Sequence, residues 1–159
     1  MSYQIGDRVA HPLHGAGIIS AVETKRIDGV VRAYYVMQLP FGDMLIKFPQ
    51  DTCERVGVRP LLSREEIDEI LNHIPDIDLD MEQNWNKRYR ENMARIRSGD
   101  LLIVSGVIKG LLRRDIIRGL STGERKMLHA AKQILASEMA LVLELSGEEV
   151  DEMLAGLAE

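Results

Sequence analysis

The chain of 159 residues has one cysteine, Cys53. A single cysteine excludes an internal disulfide and a multi-cysteine zinc site, and suits a reducing cytoplasm. No apolar run approaches the roughly 20 residues that span a bilayer, so no membrane partner is expected. The N-terminal stretch MSYQIGDRVAHP lacks the charged-then-apolar pattern of a signal peptide. There is no P-loop, no dinucleotide fingerprint, no internal repeat and no low-complexity tract. His11 and His14 are of metal-ligand type, but they sit on a Pro/Gly turn without a matching third ligand. Cys53 has no histidine or second cysteine nearby and reads as a small packing residue. Asp76, Asp78 and Asp80 alternate as in a calcium loop, yet the required glycine and the terminal bidentate glutamate are missing, so an acidic linker is the better reading. Ser105 and Ser137 have no base in view. These absences predict a binding protein, not an enzyme, with no cofactor and no small-molecule substrate.

What is present is a core-forming composition, 45% hydrophobic and 28% charged, and a net charge of −5 that is unevenly placed. Residues 1–60 carry +1, residues 61–81 carry −6, residues 82–132 carry +7 and residues 133–159 carry −7. A basic block is thus fenced by two acidic ones. The block is a candidate footprint for a polyanion. The fences repel a nucleic-acid backbone, so tight unaided binding to DNA is not expected.

The texture changes near residue 60. Before it the signals are strands and turns. Asp28-Gly29 between β-rich runs marks a hairpin. In the second strand Val31, Ala33, Tyr35, Met37 and Leu39 share one face, with Arg32, Tyr34, Val36 and Gln38 on the other. Gly42-Asp43 turns the chain into MLIKFP, and ERVGVRP can close the sheet. Five short strands in about 60 residues predict a small, strongly bent barrel. After Pro60 the signals are helical. Ser63/Glu66, Ser121/Glu124 and Ser146/Glu149 read as capping boxes, in which serine and glutamate satisfy the open N–H groups of a first turn. Five helices are expected, over roughly 64–73, 84–97, 99–117, 122–143 and 147–157, with Asn84 or an earlier aspartate capping the second, Ser98 opening the third and Gly119 ending it. The fold class is therefore α+β with two domains: a sheet domain over residues 1–60 and a compact helical domain over residues 61–159.

The only tryptophan, Trp85, stands at the start of the second helix, ahead of Lys87, Arg88, Arg90, Arg95 and Arg97. The apolar seam of that helix runs through Tyr89, Met93 and Ile96, on Trp85's face. Two readings stand. Trp85 anchors the helix in the core, as most tryptophans do. Or it projects as an apolar wedge, of the kind that distorts duplex DNA beside phosphate-gripping arginines and lysines. The cations recur on later helices. Lys109 and Arg113 are one turn apart, as are Arg114 and Arg118, and Arg125, His129 and Lys132 form a stripe. That pattern is either a solvated face paired with the acidic fences or a polyanion surface.

The stretches YQIGDRVAHPLHGAGIISAVETKRIDG, YYVMQLPFGDMLIKFP and GVRPLL, followed by NWNKRYRENMARIRSGDLLIVSGVIKGLLRRD and RGLSTGERKMLHAAKQILASEMAL, resemble the CarD/CdnL family of bacterial transcription regulators over essentially the whole chain. The first half is also similar to the polymerase-binding module of transcription-repair coupling factors. The Trp-bearing second half, in place of a helicase, favours the stand-alone regulator. The resemblance implies a Tudor-like (SH3-like) barrel that docks on the β subunit of RNA polymerase, and a helical domain on promoter DNA at the upstream fork of the bubble. It places the family's wedge on Trp85 and its polymerase contacts on Lys25 and Lys47. Many relatives carry arginine there, and lysine lacks the bidentate fork toward carboxylate. His11 stands where the family carries an aromatic. The resulting candidate DNA contacts are Trp85, Lys87, Arg88, Arg90, Arg113, Arg114, Arg118, Arg125, Lys126 and Lys132. Two other classes stay open: a nucleic-acid-binding module independent of polymerase, and a protein-interaction domain whose basic block pairs internally.

Overall fold

Asp28 and Gly29 both adopt positive φ, 51° and 80°, and close the tight hairpin between β2 (Gly15–Ile27) and β3 (Val30–Gln38). The computed structural model describes residues 2–158. With β1 (Arg8–His11), β4 (Leu45–Pro49) and β5 (Arg59–Pro60), the hairpin forms a five-stranded antiparallel sheet in the order β4-β3-β2-β1-β5. A register shift between Ile19 and Ala21 bends β2 where it passes from β1 to β3. Val9, Ile19, Tyr35, Met37, Leu39 and Phe48 fill the concave side, with Cys53 and Val58. Two expectations are corrected. Val31 lies beyond this core near the hairpin tip and is exposed, whereas Val36, expected on the polar face, is buried. The ERVGVRP stretch is also only partly strand. A one-turn helix, α1 (Cys53–Val56), ends at Gly57 with φ 100°, and two residues then pair with β1.

The second half consists of α2 (Arg64–His73), α3 (Trp85–Arg97), α4 (Leu101–Arg118), α5 (Thr122–Leu143) and α6 (Gly147–Ala155), close to the expected spans. Asn84 caps α3 by accepting the Lys87 amide. Asp100, not Ser98, caps α4, accepting the amides of Leu102 and Ile103. The boxes at Ser63/Glu66 and Ser146/Glu149 close in both directions, but that at Ser121/Glu124 closes in one only. Segment 77–81 lies along α4 without helix or strand structure. A Cβ at Gly110 would run into Met81, and one at Gly106 would touch Ile77, so the two glycines make its bed. Lys109, counted with the basic block in the sequence, is buried instead. Its Nζ donates to the carbonyls of Ile74, Pro75 and Ile77 at 2.8–2.9 Å. No described helix is long and apolar enough to cross a membrane.

Helix α5 carries the sheet. Gln133 donates to the carbonyl of His14 at 3.1 Å, and the Ala16 amide donates to Ser137 Oγ at 2.8 Å. Buried Glu138 receives both arms of Arg59 at 2.8 and 2.9 Å and the Leu62 amide at 2.8 Å. The two halves are therefore fastened by polar contacts at the first turn of β2 and at the chain's crossing into α2.

His11 fills its aromatic position by packing edge-on to Phe48, with ring centroids 5.2 Å apart, and its Nδ1 accepts the Leu13 amide. Burial and the neighbouring His14 ring lower its pKa from 6.5 to about 4. The folded state thus binds fewer protons than the unfolded chain between these values, and stability falls as pH drops from about 6.5 toward 4. His14, also lowered by burial, adds in the same sense. His11→Phe is expected to flatten the dependence of Tm on pH across that window. An unchanged slope would show that His11 does not set it.

Candidate nucleic-acid interface

Trp85 is the first residue of α3, one turn before Tyr89 on the same face. The two rings stack with centroids 5.1 Å apart and planes 18° apart. The indole Nε1–H donates to Ser121 Oγ at 3.1 Å, the side chain that also caps α5. Gly123 lies under both rings, and a Cβ there would stand 3.5 Å from Trp85. The indole is thus held on one face and one edge, yet 42% of Trp85 is exposed. Tyr89, Met93 and Ile96 do join the core as expected, while Trp85 stands at its rim.

Arg88 corrects the candidate set. It is 2% exposed, and four of its five N–H groups are bonded inside the protein. Nε and Nη2 donate to the Glu124 carboxylate at 3.0 and 3.3 Å, and Nη1 donates to the carbonyls of Glu82 and Gln83, both at 3.0 Å. The one remaining N–H, on Nη2, is buried with the rest of the side chain, out of reach of a phosphate. Burial pushes the Glu124 carboxyl up, but the hydrogen bond and charge of Arg88, with Arg114 and Ser121, reverse this and hold it below its ordinary value. This is why the third capping box is incomplete. Its glutamate is drawn inward to the arginine. The sequence carried a signal for it, since Arg88 and Asn92 fall on the stripe of Trp85, Tyr89 and Ile96, and both are buried.

The remaining cations divide by position. Lys87 is exposed and pairs with Glu82 at 3.2 Å, and Arg90 is exposed nearby. Arg113, Arg114 and Arg118 line one groove of about 260 Å³ with Met81, Gln83 and Ile117. Arg114 is the most enclosed of the three, its Nε 4.0 Å from Glu124. Arg125 is exposed and lies 3.9 Å from Asp115, and Lys126 beside it is exposed. Lys132 is set apart. With His129 it lines a different groove, against Phe41 of the β3–β4 turn and Asp151 of α6.

The outer face of the sheet holds the other two candidates. Lys25 and Arg32 are cross-strand partners, and both lie over the Tyr34 ring, 5.2 and 5.9 Å from its centroid. Lys47 reaches Glu23 at 3.0 Å, and Arg32 forks onto Asp51, with the shortest contact at 2.9 Å. The face is a mixed polar surface on which the two lysines remain exposed.

A small antiparallel sheet with a charged outer face, fastened to a helical unit that presents a braced tryptophan among arginines, is the build of a macromolecule-binding protein. The description "CarD-like/TRCF RID domain" fits residues 3–62, and "CarD, C-terminal domain" fits residues 69–155. The chain belongs to the CarD family, transcription factors of the RNA polymerase-interacting type. It is 28% identical over 148 residues to YdeB of Bacillus subtilis (strain 168), described as a candidate transcription factor. The match covers 93% of this chain and 97% of that one.

Proposed function

We propose that the chain docks on the β subunit of RNA polymerase through the sheet face bearing Lys25 and Lys47, and that the helical part then prolongs the promoter open complex. Residues 1–60 form the docking unit and residues 61–159 the DNA unit. Trp85 enters the minor groove at the upstream fork of the bubble. Lys87, Arg90, Arg113, Arg114, Arg118, Arg125 and Lys126 supply the charge for backbone phosphates, with Lys132 at the margin. Arg88 is excluded from this set.

The observation that carries the reading is the exposure of Trp85 together with its bracing by Tyr89 and Ser121. A core tryptophan needs no exposed face, and an idle surface tryptophan needs no anchor. Unstacking a base step costs a few kcal/mol, and at a fork melting already covers part of that. Slowing bubble collapse by about 1.4 kcal/mol lengthens the complex roughly tenfold. The acidic fences weaken free DNA binding, and tethering to polymerase restores it through effective concentration. No reaction is catalysed and no sequence motif need be read.

The test is the decay of a polymerase–promoter complex after competitor challenge, with and without this protein. The wild-type chain is expected to slow the decay. Lys25→Glu/Lys47→Glu is expected to lose polymerase affinity and this effect while melting normally, since exposed charges contribute little to stability. Unchanged polymerase affinity in the double variant would sink the docking assignment. Strong, salt-sensitive DNA binding without polymerase would favour the independent module.

A further inference from the structure

Two isoleucines stand in the open at the C-terminal end of α4. Ile116 is 75% exposed and Ile117 is 77% exposed, the highest values among large hydrophobic side chains of the described residues. They are not a frayed continuation of the core. The buried stripe of α4 runs through Val104, Val107, Ile108 and Leu111. Its period leads next to Arg114 and Asp115, so Ile116 and Ile117 lie off the stripe. A single exposed isoleucine is ordinary, but an adjacent pair with both side chains in water is less so.

The surroundings indicate what covers them. Ile117 shares its groove with Arg113, Arg114 and Arg118, three cations against one carboxylate, Asp80. Neither Arg113 nor Arg118 has a carboxylate partner among the described residues, and Arg114 approaches only the already engaged Glu124. The helix dipole favours cations at this end, which accounts for Arg118 but not for the isoleucines. The groove continues to Gln83, two residues before Trp85, and Ser121, which holds the indole, follows Ile117 by four residues. An apolar pair beside arginines, on the segment that leads to Ser121, the anchor of the exposed indole, matches the surface that proteins press into a minor groove: aliphatic side chains against sugars and base edges, guanidiniums on phosphates.

We propose that Ile116 and Ile117 form a second apolar contact to promoter DNA beside Trp85, with Arg113 and Arg118 on the flanking phosphates. This rests on the reading of the Trp85 face as DNA-facing. It makes the contact two-pronged: Trp85 from the start of α3 and the isoleucine pair from the end of α4.

The experiment uses the full chain with RNA polymerase holoenzyme and promoter DNA. Ile116→Ser/Ile117→Ser removes apolar area from water-facing positions, so Tm should hold. The promoter complex should decay about fivefold faster, the loss of partial burial of two aliphatic side chains. The dependence of decay on salt should not change, because an apolar contact releases no counterions. Arg113→Ala/Arg118→Ala should instead lower the salt slope by about one for each phosphate left without its arginine. A benzophenone side chain at position 117 should crosslink to DNA. A wild-type decay rate for the double serine variant beside a defective Trp85→Ala would overturn this inference alone. Crosslinking to a polymerase subunit or to a second copy of the chain, without DNA, would also overturn it. A wild-type rate for Trp85→Ala would sink the proposed function, and the crosslink at position 117 would still decide whether the isoleucines meet DNA.

Discussion

Trp85→Ala is expected to shorten the promoter complex about tenfold while leaving a folded protein that still binds polymerase. The stability loss should fall short of the roughly 3–5 kcal/mol that truncating a buried aromatic costs, because the ring lies at the rim of the core. The truncation removes the stack on Tyr89, worth about 0.5–1.5 kcal/mol, and one hydrogen bond to Ser121, worth about 1 kcal/mol. Trp85→Phe should keep part of the activity, since a smaller ring still fills part of an opened step. Ser121→Gly separates anchor from wedge. Glycine is tolerated at an N-cap for a few tenths of a kcal/mol, so α5 should persist while the indole loses its acceptor. The single tryptophan makes the readout direct, as its fluorescence anisotropy in the free protein should fall in Ser121→Gly. A large loss of Tm in Trp85→Ala, with normal promoter-complex lifetime in the remaining folded protein, would return Trp85 to the core.

The elements were legible because their signals are local. Asp28-Gly29 fixed a hairpin through backbone conformation alone, and two of the three serine–glutamate boxes closed as read. Errors arose where two local bonds compete and where a distant partner decides. Asp100 displaced Ser98 as a cap because Ser98 Oγ turns back to the Arg95 carbonyl. Val31 carries the pattern of the sheet core but lies past its edge. Cationic residues misled most. Lys109 and Arg88 look like members of a basic surface, yet each is an internal hydrogen-bond donor that secures the chain before α3. A charge count by segment registers neither. Exposed Trp85 was one of two open readings in the sequence, and the pairing of Ser121 with its indole had no local signature, since the two residues are 36 apart.

Arg88→Met should have the largest effect on stability. The Arg88–Glu124 pair is buried on both sides, with 2% and 3% of the side chains exposed. Removing one partner strands the other, and buried pairs broken in this way cost about 3–5 kcal/mol. At about 2–4 °C per kcal/mol for a chain of this size, Tm should fall by roughly 10 °C. Glu124→Gln should show a smaller fall, because an amide can still accept from Arg88 but leaves its charge uncompensated. Arg88→Lys should fall between wild type and Arg88→Met, since an ammonium cannot span the carboxylate and the carbonyls of Glu82 and Gln83 together. Those carbonyls belong to the two residues before the Asn84 cap. Loosening them loosens the base on which Trp85 stands, so promoter-complex lifetime should decline with stability and not with salt. A phosphate contact predicts the opposite pattern: an unchanged Tm and a lower salt slope. Melting curves and salt-dependent decay measured on one preparation of Arg88→Met distinguish the two, and an unshifted Tm would put Arg88 back on the DNA.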